Sequence, residues 1–189
     1  MPHTFHPQHA KHLDSIFRRI FLPPLKILNT IGLKSNDIFL DIGAGTGFFA
    51  IPASQLLVYG KVMATDTQEE MLRLLSHKIK EKNINNIEII LSKENDPSVP
   101  KESATVAFMS FVLHEVENKK EMLSNIHKAL KRGGKIAIIE FSKYALFGPP
   151  KQERISPQAL KKLLEETGFK KITVTKLTMF TYMAVALKQ

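Results

Sequence analysis

The sequence predicts a doubly wound α/β fold, a mostly parallel sheet of seven strands that closes on a C-terminal antiparallel hairpin. Three observations predict it. From residue 37 onward, short apolar runs alternate with stretches of helical periodicity, and strands separated by helices imply parallel crossovers. The first run, Ile38–Ile42, leads into glycine at every second position (Gly43, Gly45, Gly47) and then into an apolar helical stretch. The last two runs are joined by a turn too short to cross the sheet, so they must pair antiparallel.

The elements follow in order. Residues 1–22 carry His3, His6, His9 and His12 at every third position, beside Phe5, Phe17 and Phe21. Helical spacing would gather some of these histidines as a metal site, but Pro2 and Pro7 break the first part and no carboxylate stands at ligand spacing. A cap or lid over the binding site is the preferred reading, with no metal. Pro23-Pro24 then start a short amphipathic helix, Leu25 to Ile31, which Gly32 ends. Residues 1–36 are therefore expected to form a cap segment with its leading helix, and residues 37–189 the main body of a single domain. Strands are expected at Ile38–Ile42, Lys61–Thr65, Ile87–Leu91, Ala104–Phe111, Lys135–Phe141, Lys171–Leu177 and Thr181–Leu187. Met71, Leu72, Leu75 and Ile79 share one face of a helix over residues 67–82. Met122, Leu123, Ile126, Ala129 and Leu130 share a face over residues 118–131, before Gly133-Gly134 stop it. Ser156 and Pro157 open the last helix as cap and first-turn proline, and Gly168 ends it.

Composition bounds the class. A chain of 189 residues suits one domain, and 43% hydrophobic with 24% charged residues marks an ordinary globular chain. No apolar run approaches the roughly 20 residues that span a bilayer, and the N-terminus lacks a leader pattern, so a cytoplasmic protein is expected. With no cysteine there is no disulfide and no thiolate nucleophile. The net charge of +9 admits nucleic acid, an anionic substrate or an acidic membrane as partners. The lysines are scattered over helix faces and turns, however, with no arginine-rich arm and no basic run interleaved with aromatics. Solvated faces explain them better than nucleic acid does.

The strand–glycine turn–helix at 38–50 is a cradle for a cofactor, because glycine permits a tight turn and close approach. Asp41 puts an acid in an otherwise apolar strand. Asp66 ends the second strand, where the ligand of a doubly wound sheet lies. Its carboxylate can accept from both hydroxyls of a ribose; alternatively Asp66 and Thr67 cap the helix that follows. Ser110 to His114 leave the fourth strand at the same edge.

Over about residues 25–189 these motifs resemble the class I S-adenosylmethionine-dependent methyltransferases, which have a Rossmann-like sheet. The resemblance rests on Asp-x-Gly-x-Gly-x-Gly at Asp41–Gly47, Asp66, Leu113-His114-Glu115, Gly133-Gly134 and the terminal hairpin. In particular it is similar to the small-molecule branch that includes the quinone-biosynthesis C-methyltransferases. The resemblance implies S-adenosyl-L-methionine as cofactor, with Gly43, Ala44 and Gly45 against its methionine part and ribose. It implies Asp41 near the amino group, Asp66 on the ribose hydroxyls, and Thr67 and Met71 beside adenine. After the third strand the family usually has Gly-Asp-Ala; here Lys93 and Glu94 stand at that place, and they are the cofactor contacts expected there. Ser110 is expected at the cofactor as well. The usual aspartate of the fourth strand is replaced by Thr105.

A sulfonium carbon is already electrophilic, so such an enzyme mainly aligns the reactants and excludes water. A base is needed only where the acceptor must lose a proton, and His114, Glu140 and Tyr144 are the candidates. The competing reading of His114 is a packed histidine, and of Glu140 a structural strand-end acid. Phe141, Tyr144, Phe147 and Gly148-Pro149-Pro150 suggest one wall of an acceptor pocket. A small-molecule methyl acceptor is favoured over RNA, DNA or protein, since the chain lacks an Asn/Asp-Pro-Pro-Tyr/Phe run and a cysteine for pyrimidine attack. Asp41 and the hairpin argue against a nicotinamide enzyme. A binding protein without turnover remains as an alternative.

Overall fold

The computed structural model describes residues 22–146 and 148–189. The N-terminal histidines and Phe147, with the metal and lid readings attached to that segment, lie outside the described residues.

Helix α1 (Pro24–Thr30) precedes β1 (Ile38–Ile42), α2 (Ala50–Leu56), β2 (Lys61–Asp66), α3 (Glu69–Glu81) and β3 (Ile87–Leu91). Then come β4 (Ala104–Ser110), α4 (Lys119–Ala129), β5 (Leu130–Phe141), α5 (Pro157–Glu166), β6 (Lys170–Lys176) and β7 (Thr181–Leu187). The seven strands lie in the order β3-β2-β1-β4-β5-β7-β6. All pairs from β3 to β5 are parallel, while β5–β7 and β7–β6 are antiparallel, as the short turn at Leu177–Thr181 requires.

Alternation along the central strands builds two cores. Leu40, Ile42, Ala107, Met109, Ile136 and Ile138 face one side with Leu123 and Ile126 of α4 and Leu160 and Leu164 of α5. Phe39, Val62, Ala64, Phe108, Ala137 and Ile139 face the other, against Ile27 and Leu28 of α1, Ala50 and Ala53 of α2 and Leu75 of α3. Both faces being covered explains why these strands are continuously apolar. Among the described residues no helix is long and apolar enough to cross a membrane.

Two departures from expectation have local causes. The helix expected to run to residue 131 ends at Ala129, because Leu130 turns extended (φ −72°, ψ 140°) and pairs with Ala104. Gly133-Gly134 therefore lie inside the lead-in of β5, beside a register shift against β4, rather than behind a helix. A Cβ on Gly134 would stand 2.8 Å from the Lys131 carbonyl oxygen, so only glycine lets this lead-in pack. The second departure is at α3, which begins at Glu69 with Gln68 at its N-cap and no side-chain cap, while Asp66 Oδ1 accepts from the Gln68 N–H at 2.9 Å just ahead of it. Thr105 stands at the opposite edge from these residues, accepting from the Ile38 N–H and donating to Asp37 Oδ1 at 2.7 Å. It ties the starts of β1 and β4 together.

Candidate active site

The chain leaves β1 for one face of the sheet and β4 for the other, so a crevice opens between their carboxyl ends. On the β1 side the turn is hung from β2: the N–H groups of Gly43 and Ala44 both donate to the Thr65 carbonyl, at 2.8 and 2.9 Å. Gly43, Gly45 and Gly47 all have positive φ (69°, 54° and 88°), which a side chain would resist. The Gly45 N–H donates to Asp66 Oδ2 at 2.8 Å, so the acid that holds the Gln68 N–H also braces the glycine turn. A Cβ on Gly45 would meet nothing within 4 Å: the turn is open on the side where a ligand would lie.

Asp41 and Asp66 are buried at this mouth. Burial raises the Asp66 pKa, against the lowering by N–H groups of Gln68, Gly45 and Thr67. Its carboxylate keeps further lone pairs for a diol. Thr67 is exposed, and Met71 is buried on α3 with Leu72 and Leu75. Lys93 and Glu94 are exposed on a tight turn in which Lys93 and Asp96 exchange backbone hydrogen bonds. The turn hangs beside Asp66, since the Ser92 N–H donates to the Asp66 carbonyl at 2.9 Å. Ser110 Oγ is the buried side-chain polar atom that lacks a hydrogen-bond partner among the described residues. An open glycine turn, two mouth carboxylates and an orphaned hydroxyl together fit a hydroxylated, positively charged nucleoside.

The β4 side is built around a bend. Phe111 has φ 61°, a left-handed conformation that costs a bulky residue about 1–3 kcal/mol and marks sites that need it. The bend stacks its ring on Phe141 (centroids 4.1 Å apart, planes at 23°) and sends the chain over the crevice. His114 then meets Glu140. Its ring Nδ1 lies 2.9 Å from Glu140 Oε2, and its backbone N–H donates to Glu140 Oε1 at 3.1 Å. Both side chains are buried, at 5% and 1% exposure, so this pair has no water to replace either partner. Burial lowers the His114 pKa, but the Glu140 hydrogen bond and charge outweigh it and leave the imidazole above its ordinary value.

Of the three candidate bases, the structure brings His114 and Glu140 into one pair and leaves Tyr144 apart. Tyr144 is 64% exposed, with Lys143 Nζ 5.0 Å from its ring centroid. Two residues given no site role from the sequence, one of them quoted there only within Leu113-His114-Glu115, also belong here. Glu115 stands with its Oε1 3.8 Å from His114 Nε2; its adjacency to His114 was the available signal. Arg154 donates to the carbonyls of Pro149 (2.9 Å) and Ala145 (2.8 Å), tying down the loop beyond β5, and nothing in its sequence context marks it.

A seven-stranded sheet in this order, with a glycine turn and strand-end acids at its switch point, is the architecture of the S-adenosylmethionine-dependent methyltransferases. The comparisons agree. Residues 19–153 match the profile of the ubiE/COQ5 methyltransferase family, and the chain belongs to that family. A crystal structure of a SAM-dependent methyltransferase from Aquifex aeolicus is similar over 98% of this chain and 100% of that one, with 30% identity and a TM-score of 0.92. A demethylmenaquinone methyltransferase of Lactobacillus johnsonii is 27% identical over 187 residues, 82% of this chain and 76% of that protein. The ubiquinone/menaquinone biosynthesis C-methyltransferase UbiE of Francisella tularensis is 31% identical over 114 residues, 59% of this chain and 46% of that protein. The expectation from the sequence, an S-adenosylmethionine-dependent methyltransferase of the small-molecule type on a Rossmann-like sheet, is what the family and the fold give.

Proposed function

We propose that this enzyme transfers a methyl group to a ring carbon of a small hydroxylated aromatic acceptor, a quinol-type ring, in the cytoplasm. The observation that carries the reading is the buried His114–Glu140 pair beside the stacked Phe111 and Phe141. Methylation of a ring carbon must release a proton, and a flat acceptor wants an aromatic wall. The names of the relatives from Lactobacillus and Francisella point to the same acceptor class.

When bound, S-adenosylmethionine supplies an electrophilic methyl group on sulfur. Asp66 would accept from the ribose hydroxyls while keeping the Gly45 N–H, and Gly43, Ala44 and Gly45 would lie against the methionine part and ribose. Asp41 would hold the amino-group region, Ser110 would also stand at the cofactor, and Thr67, Met71, Lys93 and Glu94 would border adenine. Glu140 holds the His114 ring with its proton on Nδ1, leaving Nε2 as the base.

The test is a transfer assay with methyl-labelled cofactor over a panel of hydroquinones and phenols, bulk RNA and bulk protein. Label on a hydroquinone ring carbon, lost by about 10²–10⁴-fold in His114→Gln, is the expected result. Label on RNA or protein alone would overturn the acceptor assignment.

A further inference from the structure

Two carboxylates, not one, flank the His114 ring. Glu140 occupies the Nδ1 side at 2.9 Å, and its other oxygen accepts from the backbone N–H of the same residue, so the carboxylate is anchored to the main chain and turning the ring breaks the Nδ1 contact. Glu115 occupies the Nε2 side at 3.8 Å, ion-pair distance but longer than a hydrogen bond. Exposure rises along the row: 1% for Glu140, 5% for His114 and 32% for Glu115. The Phe141 ring stands edge-on to the imidazole at 5.8 Å and closes one flank. The row therefore leads from a sealed interior to solvent.

We propose that Glu115 is the proton exit of this site, taking from His114 Nε2 the proton that methylation of the acceptor releases, while Glu140 is a positioning residue that fixes the ring. The inference rests on the role of His114 as base given above. The electrons balance without a co-reactant. A π pair of the acceptor ring forms the new carbon–carbon bond, and the pair of the broken carbon–sulfur bond stays on sulfur. The ring's C–H pair returns to the π system as the proton passes to Nε2. The imidazolium gives that proton to Glu115, whose exposed edge gives it to water.

The charges around the row favour the transfer. His114 faces Glu140 from β5, Glu115 beside it and Lys119 at the start of α4; Glu115 faces Glu140, Asp66 from β2 and Glu153 ahead of α5. Lys119 opposes charge on His114, while the two glutamates favour it. Burial, reinforced by Glu140, Asp66 and Glu153 and opposed by His114, pushes the Glu115 carboxyl up to about 7. A carboxyl raised this far toward neutrality holds a proton more readily than an ordinary glutamate, which suits it to receive one from the adjacent imidazolium.

The test uses the full chain, ¹⁵N-labelled at histidine, with Glu115→Gln, Glu140→Gln and Glu140→Asp. In an NMR titration without acceptor, the wild-type His114 ring is expected to titrate in two coupled steps. Glu115→Gln should leave one step at lower pH, Glu140→Gln should lower it further, and Glu140→Asp should restore part of the shift. Turnover is followed against pH with a soluble naphthohydroquinone and methyl-labelled cofactor. Glu115→Gln is expected to lower kcat on the order of tenfold with little change in KM, less than loss of a base that touches substrate. Its acidic limb should also move to lower pH. A kcat profile for Glu115→Gln that matches wild type, or a His114 titration that this substitution does not move, overturns the relay. Should wild type fail to methylate the naphthohydroquinone, the acceptor assignment falls on its own. The titration then decides the relay: coupled steps uphold it and a single unmoved step ends it.

Discussion

Val112 packs directly over Gly43: a Cβ built on the glycine would stand 2.3 Å from Val112 Cγ2. The bend at Phe111 thus presses the chain leaving β4 onto the turn leaving β1, closing the floor of the crevice. Gly43→Ala should meet both this clash and the left-handed φ of 69°. The expected losses are about 1–2 kcal/mol for the backbone and about 1–3 kcal/mol for overpacking. Adding Val112→Ala should recover only the second part. Thermal unfolding of the single and double variants checks this; full recovery would show that the backbone conformation costs nothing.

Asp66 holds two N–H groups at 2.8 and 2.9 Å before any ligand arrives. Asp66→Asn should weaken cofactor binding roughly 10- to 100-fold, as expected for charged hydrogen bonds of about 1.5–3 kcal/mol. Because burial raises the Asp66 pKa above 3.8, affinity in the wild type should fall on acidification before an ordinary aspartate would titrate. The asparagine variant should lack that dependence. Calorimetry with S-adenosylhomocysteine from pH 4 upward, a range set by the ordinary aspartate value, reads both effects. An equal slope in the two proteins would remove Asp66 as the titrating group.

Glu115 gives a stability signature. Its carboxyl is held up to about 7 in the folded chain, against 4.5 for an ordinary glutamate. The folded state therefore binds the proton more tightly, and stability falls as pH rises from 4.5 to 7. The raised His114 pKa acts in the same sense, since its contribution is lost as pH climbs through the folded value. Glu115→Gln should be less stable than or equal to wild type near pH 4.5 and more stable by pH 7.5, a window taken from these shifts. Melting curves across that window that keep a constant difference would contradict the raised Glu115 carboxyl.

Arg154 spans the loop beyond β5 with contacts to Pro149 and Ala145. Arg154→Lys keeps the charge but loses the planar fork. Amide exchange in residues 142–150 should quicken and KM for the acceptor should rise, with cofactor affinity little changed. Unaltered exchange would mean that the loop is held by its other contacts, such as Ser142 Oγ to the Met179 carbonyl.

The sheet was legible from the sequence because its patterns are local. Ile38–Ile42, Ile87–Leu91 and Thr181–Leu187 are strands with those bounds, and the Ser156 side chain caps α5 by accepting from the Ala159 N–H. The misread end of α4 shows where locality fails: Gly133-Gly134 look like a helix stop until β4 is placed alongside. The same limit governs the site. His114 and Glu140 are 26 residues apart, and only the parallel pairing of β4 with β5 makes one the partner of the other. Arg154 is informative only through the carbonyls it reaches, which no side-chain pattern encodes.

The order β5-β7-β6 also constrains how the chain is made. β6 is synthesised before β7 yet lies outside it, and its strand pairing is with β7. During translation β6 must wait beside an unfinished sheet edge until β7 emerges and fills the gap. Thr181 and Tyr182 of that late strand pair with Phe141 and Glu140. The acid that grips His114 thus gains its second neighbouring strand only when β7 emerges, so a ribosome-bound chain can assemble the β1–β2 cradle well before this wall of the catalytic crevice.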